Sequence, residues 1–189
     1  MYNLRIIGID PGSIICGYGV IEQLQKNKFK LIEYGAIKAK KHYEELPMRL
    51  KEIYLRISEV LKRTNPEIAA IESTFFSKNV QSLVKLAHAR AVVMLASTLF
   101  ELPIFEYSPR EVKKSVTGKG AATKEQVSFM VKNILNIKET PDFLDVTDAL
   151  AVALCYAMKG SQINNKPKSW EEFIKEHPER IKKNKLYND

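Results

Sequence analysis

Four acidic side chains have the types and spacing that metal-dependent phosphodiester cleavage requires. Asp10 ends the apolar run LRIIGID, and Glu72 ends a second apolar run, EIAAIE. Asp145 and Asp148 stand three residues apart in a segment with helical periodicity, so they share one helix face. Such cleavage uses hard oxygen ligands that hold one or two Mg²⁺ ions, about 3.5 to 4 Å apart. The sequence therefore predicts a metal site with these acids as ligands.

Each acid also has an ordinary structural interpretation. An Asp before Pro-Gly commonly opens a turn through its own side chain, and a Glu at a strand end can be a surface charge. Asp145 and Asp148 can cap the first turn of a helix and complement its dipole. That interpretation weakens if Thr140-Pro141 begins the helix, because both acids then lie beyond the first turn. The four acids together favour the metal site, because they project to one edge of a sheet.

The hydrophobic pattern predicts the strands and helices that position these acids. Three consecutive antiparallel strands are expected over residues 4–10, 14–22 and 29–38. Helices and strands then alternate: a helix from 44 that ends by 65, a strand over 67–72, a helix over 80–100, a strand over 104–107, and helices over 109–116, 123–136 and 142–158. This order predicts an α/β fold, a mixed five-stranded sheet flanked by helices. If the strands of Asp10 and Glu72 are parallel neighbours, both carboxylates emerge at the same sheet edge.

Length and composition predict one domain over residues 1–160, which the four acids make a candidate nuclease domain, and a basic peripheral tail over 161–189. The tail holds seven Lys or Arg against five Asp or Glu and few large apolar groups. Cys16 and Cys155 lack metal-binding spacing, which predicts buried, reduced thiols. No apolar run approaches the roughly 20 residues that span a bilayer, so we expect a soluble, cytoplasmic protein without membrane association.

The formal net charge of +8 predicts attraction to a polyanion, most commonly a nucleic acid. Composition alone is equally compatible with a solvated, lysine-rich surface. The charge is uneven, however, because residues 110–138 carry seven Lys or Arg against only Glu111 and Glu125. This segment is therefore the predicted surface for a polyanion.

Four segments carry motifs that are informative together: GIDPGSIICGYGVIE (8–22), AAIESTFFSKN (69–79), VKKSVTGKGAATKEQV (112–127) and DVTDALAVAL (145–154). In this order they resemble the bacterial RuvC family of Holliday-junction resolvases, over residues 4–158. The resemblance implies a ribonuclease H-like fold, a homodimer and two Mg²⁺ ions per site, with Mn²⁺ as a substitute. It also implies paired symmetric nicks across four-way junction DNA, in concert with junction-binding and branch-migration helicase proteins.

Residue by residue, the resemblance assigns roles in catalysis. It places the family's catalytic, metal-binding acids on Asp10, Glu72, Asp145 and Asp148. Lys113 and Lys124 match lysines near the scissile phosphate, where their cationic heads would stabilise developing charge. Lys114 is an alternative to Lys113, because the two lysines are adjacent.

The resemblance also assigns contacts with DNA. Phe75 matches an aromatic side chain that stacks on an unpaired base at the crossover, and Phe76 beside it remains an alternative. Further contacts are predicted at Lys78, Asn79 and Lys119.

Some alternatives stay open at this point. The helix over 80–100 has apolar residues on more than one face, so it is a candidate dimer element, although core packing alone explains it equally well. Arg90 on that helix is either a helix-surface or a dimer-interface charge. A related class of nucleases processes structured RNA ends, and it is the alternative to a junction resolvase. A non-catalytic DNA-binding subunit would have decayed acids, whereas all four are intact here.

Overall fold

A mixed five-stranded sheet in the order β3-β2-β1-β4-β5 forms the centre of the fold. The computed structural model describes residues 3–73, 79–138 and 144–163. The elements are β1 Leu4–Asp10, β2 Cys16–Gln25, β3 Lys28–Ile37, α1 Ala39–His42, α2 Leu46–Thr64, β4 Ile68–Glu72, α3 Val80–Leu99, β5 Ile104–Tyr107, α4 Pro109–Thr117, α5 Lys124–Leu135 and α6 Leu144–Ile163. The predicted fold class, an α/β fold with a mixed five-stranded sheet flanked by helices, is confirmed.

Strand β1 lies in the middle of the sheet and changes its direction of pairing. It pairs with β2 antiparallel and with β4 parallel, and β4 pairs with β5 parallel. In the parallel ladder Ile9 is the partner of Ile71, so Asp10 and Glu72 are the next residues at the same edge. The prediction that these two strands are parallel neighbours, with both acids at one edge of the sheet, is therefore confirmed.

The two faces of the sheet are covered by different helices. Ile7 and Ile9 pack with the buried residues of α2 and α3, whereas Ile6 packs with those of α4, α5 and α6. Because successive strand side chains point to opposite faces, Asp10 lies on the face of Ile6, which α6 covers. Cys16 and Cys155 lie in these two cores as free, buried thiols, as predicted.

Helix α6 lies directly against the backbone of β1 and β2 because glycines leave room for it. A Cβ atom on Gly8 would lie 2.1 Å from the carbonyl oxygen of Ala149, and one on Gly17 would lie 2.2 Å from that of Asp145. No side chain fits at such distances without moving the helix. These close approaches bring the start of α6 over the sheet edge that carries Asp10.

Several predicted boundaries differ from the structure. Helix α6 continues to Ile163 instead of ending at 158, and its predicted start at residue 142 lies outside the described residues. Gly160 does not stop it, because one glycine in a helix costs only about 1 kcal/mol. The short helix α1 was not predicted.

The chain divides into two units, Met1–Met158 and Lys159–Asp189. Of the second unit, the structure describes residues 159–163, which belong to α6. The basic tail predicted over 161–189 lies almost wholly outside the described residues. Its separation from a domain over 1–160 stays a prediction.

Helix α3 corrects the expectation that no segment reaches the length of a membrane span. By length and composition it is the one described helix that does, with a mean hydropathy of 1.3 and 22% of the span buried. A helix of a soluble protein passes the same test, and α3 packs on the sheet through Ala89, Val93 and Ala96. Arg90 on this helix pairs with Glu106 of the same chain, with Nε donating to Oε1 at 2.8 Å.

Candidate active site

Asp10 and Glu72 lie at the neighbouring ends of β1 and β4, and the pKa of each carboxyl group depends on the other. Burial raises the pKa of Asp10 to about 6, and the charges of Asp148 and Asp145 act in the same direction. Burial likewise raises the pKa of Glu72 to about 8, together with the charge of Asp10 and the hydrogen bond to it. The pair therefore holds protons more tightly than isolated carboxyl groups do.

Helix α6 supplies the other two acids. Carboxylate oxygens of Asp10, Asp145 and Asp148 all lie within 4.8 Å of one another. Asp145 lies in the first turn of α6 as the structure describes it, and Thr140-Pro141, the alternative start, lies outside the described residues. The helix dipole therefore favours Asp145, but it does not explain why three carboxylates converge. Like charges at such a distance repel unless a cation lies between them.

Lys124 is the cation that contacts this cluster. It is the first residue of α5, which begins with a capping box formed by Thr123 and Gln126. Its Nζ donates a hydrogen bond to Oδ2 of Asp148 at 2.6 Å. Burial opposes the charge, but the hydrogen bond to Asp148 and the charges of the three aspartates raise the pKa of Lys124. The ammonium group therefore stays charged beside the acids.

The donor set suits a divalent cation of the Mg²⁺ type. Carboxylate oxygens are the hard ligands that Mg²⁺ and Mn²⁺ prefer in proteins. The cluster contains three mutually close aspartates, and Glu72 lies next to Asp10. The single positive charge of Lys124 cannot neutralise the negative charge of these carboxylates. The four predicted acids thus lie together, and their role as metal ligands stays a prediction.

The other predicted lysines lie on α4 and the loop that follows it. Lys113 and Lys119 line a pocket of about 670 Å³ together with Arg110. Lys113 is half-buried. The pKa of Glu125, the neighbour of Lys124, is lowered mainly by hydrogen bonds from Thr123 and from the backbone, and the charge of Lys113 lowers it further. Lys114 is exposed. Lys113 therefore lies near the start of α5, and its catalytic role, with Lys114 as the alternative, stays a prediction.

The predicted stacking and backbone contacts are described only in part. Phe75, Phe76 and Lys78 lie outside the described residues. Asn79 is the N-cap of α3, and its side-chain oxygen accepts hydrogen bonds from the backbone N–H groups of Gln81 and Ser82 at 2.9 and 3.4 Å. Asn79 therefore has a structural role, and its predicted contact with DNA stays a prediction.

The sequence interpretation missed a second group of cations beside the cluster. Lys40, Arg49 and Lys85 line a pocket that also includes Asp145. The basic run KAKKH at 38–42 was a signal for this surface. Arg49 gave no such signal, because an arginine in an amphipathic helix is usually exposed.

Comparison with known proteins gives one consistent family. A family model described as crossover junction endodeoxyribonuclease RuvC matches residues 6–156. The protein of that name from Cytophaga hutchinsonii is 41% identical over 177 residues, which cover 94% of this chain and 88% of the relative. The one from Alkaliphilus metalliredigens is 47% identical over 155 residues, 82% of this chain and 93% of the relative.

Solved structures agree with this result. The structure of Thermus thermophilus RuvC in complex with a Holliday junction substrate has a TM-score of 0.79 and 34% identity, and it covers 84% of this chain and 96% of that chain. The yeast mitochondrial Holliday junction resolvase Ydc2 has a TM-score of 0.64 at 12% identity, over 92% of this chain and 84% of that chain. The latter likeness concerns the fold alone.

Proposed function

The chain belongs to the RuvC family of crossover junction endodeoxyribonucleases, and we propose that it resolves four-way (Holliday) DNA junctions by paired symmetric nicks in DNA recombination and repair. The observation that supports this most directly is the convergence of Asp10, Asp145 and Asp148, with Glu72 next to Asp10. The chain thus retains the complete set of acids that hydrolysis of a phosphodiester requires. A non-catalytic DNA-binding role would not need this set.

The four acids would hold two Mg²⁺ ions, and Mn²⁺ would substitute for them. Bound there, the metal would supply an activated water and neutralise charge on the leaving oxygen. Asp10 and Glu72 must release their shared protons to act as ligands, since the protonated carboxyl groups are poor ligands.

Lys124 would act on the substrate from the same side as the acids. Its ammonium group is fixed by Asp148 and charged, so it can stabilise negative charge that develops on the scissile phosphate. Lys113 and Lys119, in the neighbouring pocket with Arg110, would contact flanking phosphates of the DNA. We keep Phe75 as the aromatic that stacks on a base, with Phe76 as the alternative.

A homodimer would place two such sites on one junction, because the two-fold symmetry of a dimer matches the two-fold symmetry of a four-way junction. Helix α3 offers a surface for it, the α3 stripe, formed by the exposed apolar residues Val80, Val84, Ala87, Ala91, Leu95 and Leu99. These positions recur every three or four residues, on the side opposite to buried Ala89, Val93 and Ala96. Such a contiguous apolar surface is typical of a contact between proteins.

The remaining parts of the proposal follow from the family. We propose that the protein works in the cytoplasm with junction-binding and branch-migration helicase proteins. Processing of structured RNA ends is not favoured, since the relatives described above are named as endodeoxyribonucleases. The predicted absence of a membrane partner is retained.

The test uses two end-labelled DNAs of the same sequence, a four-way junction and a linear duplex, with Mg²⁺, with Mn²⁺ and with EDTA. We expect paired symmetric nicks on the junction alone, with either metal but not with EDTA. Asp10→Asn should abolish cutting, whereas Glu59→Gln, an exposed acid on α2, should not. A wild-type protein that cuts structured RNA and leaves the junction intact would contradict the proposal.

A further inference from the structure

A second pocket, of about 630 Å³, lies beside the carboxylate cluster. The turn that follows Asp10, the start of α2 and the first turns of α3 form its walls, and Asp145 contributes to them. We call it the Arg49 pocket. Its cationic side chains are Lys40, Arg49 and Lys85, and its acidic ones are Glu44 and Asp145.

Arg49 is a buried guanidinium group without a charged partner among the described residues. It is only 7% exposed, and its Nη1 donates to the backbone carbonyl of Ser13 at 3.3 Å. Its Nε is buried and has no hydrogen-bond partner among the described residues. Within that part of the chain, no carboxylate forms an ion pair with it. A buried cation with only a neutral partner is unfavourable, and a bound anion would relieve this.

The surroundings of Arg49 are also suited to an anion. Ser82, in the first turn of α3, lines the pocket, and the start of this 20-residue helix carries partial positive charge. Lys40 and Lys85 are exposed and reach the pocket from two different helices. Asp145 opposes an anion, but in the proposed function its charge is directed at the metal.

We propose that the Arg49 pocket binds a backbone phosphate of the junction DNA, next to the scissile phosphate. This inference rests on the proposed function, because only bound DNA brings a phosphodiester to this place. Asp145 belongs to both the metal site and the pocket wall, so the bound phosphate lies within a few nucleotides of the cut. Arg49 also holds the Ser13 carbonyl, which couples DNA binding to the turn that follows Asp10.

The test removes charge from the protein and from the DNA in turn. Junction affinity is measured in the cleavage-deficient Asp10→Asn background, with a neutral methylphosphonate placed at each linkage around the cut. At one linkage we expect the neutral group to weaken junction binding about tenfold when Lys85 is present. In the Lys85→Ala variant the same neutral group should have little additional effect on binding. Lys40→Ala and Lys85→Ala should each reduce the slope of log affinity against log salt by about 1.

Lys30→Ala is the matched control for these variants. Lys30 is exposed, and its ladder partner Glu22 pairs with Arg5, so it lies at the opposite end of the strands from Asp10. In the Lys30→Ala variant, a neutral group at any single linkage should weaken junction binding as much as it does with Lys30 present. Arg49→Lys, which keeps the charge in the pocket, should bind more tightly than Arg49→Met, provided that thermal unfolding shows both to be folded.

Coupling of Lys85 to one linkage would support the inference. An absence of coupling at every linkage would overturn it, even if wild-type protein still cuts junctions and the proposed function stands. Stabilisation of the protein by inorganic phosphate, with no coupling to the DNA, would also overturn it, because the pocket would then serve free phosphate.

Discussion

Nζ of Lys124 lies 2.6 Å from Oδ2 of Asp148, so the first residue of α5 is tied to the second turn of α6. This hydrogen bond fixes a cation at the edge of the carboxylate cluster. The same ammonium charge lowers the pKa of Asp10 and of Glu72, against the stronger effect of burial. Lys124 therefore has two roles, one toward the substrate and one toward the acids.

Replacing Lys124 with Met should reduce the rate of junction cleavage by about 10²- to 10³-fold, because a fixed charge is lost where the transition state needs it. Junction affinity should change far less. The pH profile of the remaining activity should also move to higher pH, since Asp10 and Glu72 lose a nearby cation. Single-turnover cleavage over a range of pH would measure both effects. Lys30→Met is the control, and cleavage by Lys124→Met at the wild-type rate would contradict the first role.

The stability of the metal-free protein should fall as pH rises. The folded-state pKa values of Asp10 and Glu72, about 6 and about 8, exceed the ordinary values of 3.8 and 4.5. Between these limits the folded state binds more protons than the unfolded state, so the stabilising effect is complete below about pH 4 and is lost as pH passes about 8. Urea unfolding at several pH values would measure this loss.

Two controls distinguish this effect from general alkaline instability. Glu72→Gln should flatten the pH dependence, because the group with the larger shift can no longer ionise. Mg²⁺ should stabilise the wild-type protein more at high pH than at low pH, since it binds the ionised acids. A free energy of unfolding that rises over this window would show that the pair is not protonated in the folded state.

Lys113 and Lys114 can be distinguished by single substitutions. Lys113 is half-buried in the pocket with Arg110 and Lys119, whereas Lys114 is exposed. We therefore expect Lys113→Ala to slow cleavage about tenfold or more, and Lys114→Ala to have little effect on the cleavage rate. Cleavage rates at saturating enzyme would measure the difference. The reverse order would assign the catalytic role to Lys114.

The strand ends could be predicted from the sequence because they depend on local pattern. An apolar run fixes the strand, and its period of two residues fixes which side of the sheet Asp10 faces. The direction of pairing between β1 and β4 then brings Glu72 to the same edge. These steps need no knowledge of distant contacts.

Other parts of the site depend on contacts that local pattern does not contain. The approach of α6 to Gly17, and the salt bridge of Lys124 with Asp148, join residues far apart in the chain. Arg49 of α2 is buried, and it donates a hydrogen bond to the carbonyl oxygen of Ser13, far from it in the chain. For Lys124, a family resemblance indicated the role that spacing could not. The basic run at 38–42 indicated cations at the Arg49 pocket, but nothing in the sequence indicated that Arg49 is buried there.

Gly17→Ala should displace α6 from the catalytic edge. The new methyl group would lie 2.2 Å from the carbonyl oxygen of Asp145, which is backbone and cannot rotate away. We expect a loss of about 1–3 kcal/mol in the free energy of unfolding, together with a decrease in cleavage. Gly19→Ala is the comparison, because its methyl group would meet mainly the side chain of Leu150 and not the backbone of Asp145. Equal cleavage by the two variants would contradict the idea that Gly17 positions Asp145.

Leu95→Glu should separate the proposed homodimer. Leu95 is 53% exposed in the middle of the α3 stripe, so a carboxylate there is solvated in a monomer but buried and unpaired in a dimer. We expect the dimer dissociation constant to rise more than about 100-fold, measured by analytical ultracentrifugation. Leu55→Glu, which changes a residue 45% exposed on α2, should leave assembly unchanged.

If the dimer dissociates, Leu95→Glu should also lose the pairing of nicks on a junction, because the two sites would then act independently. A Leu95→Glu protein that remains dimeric would place the interface elsewhere, and a wild-type protein that is monomeric but nicks both strands would remove the need for a dimer.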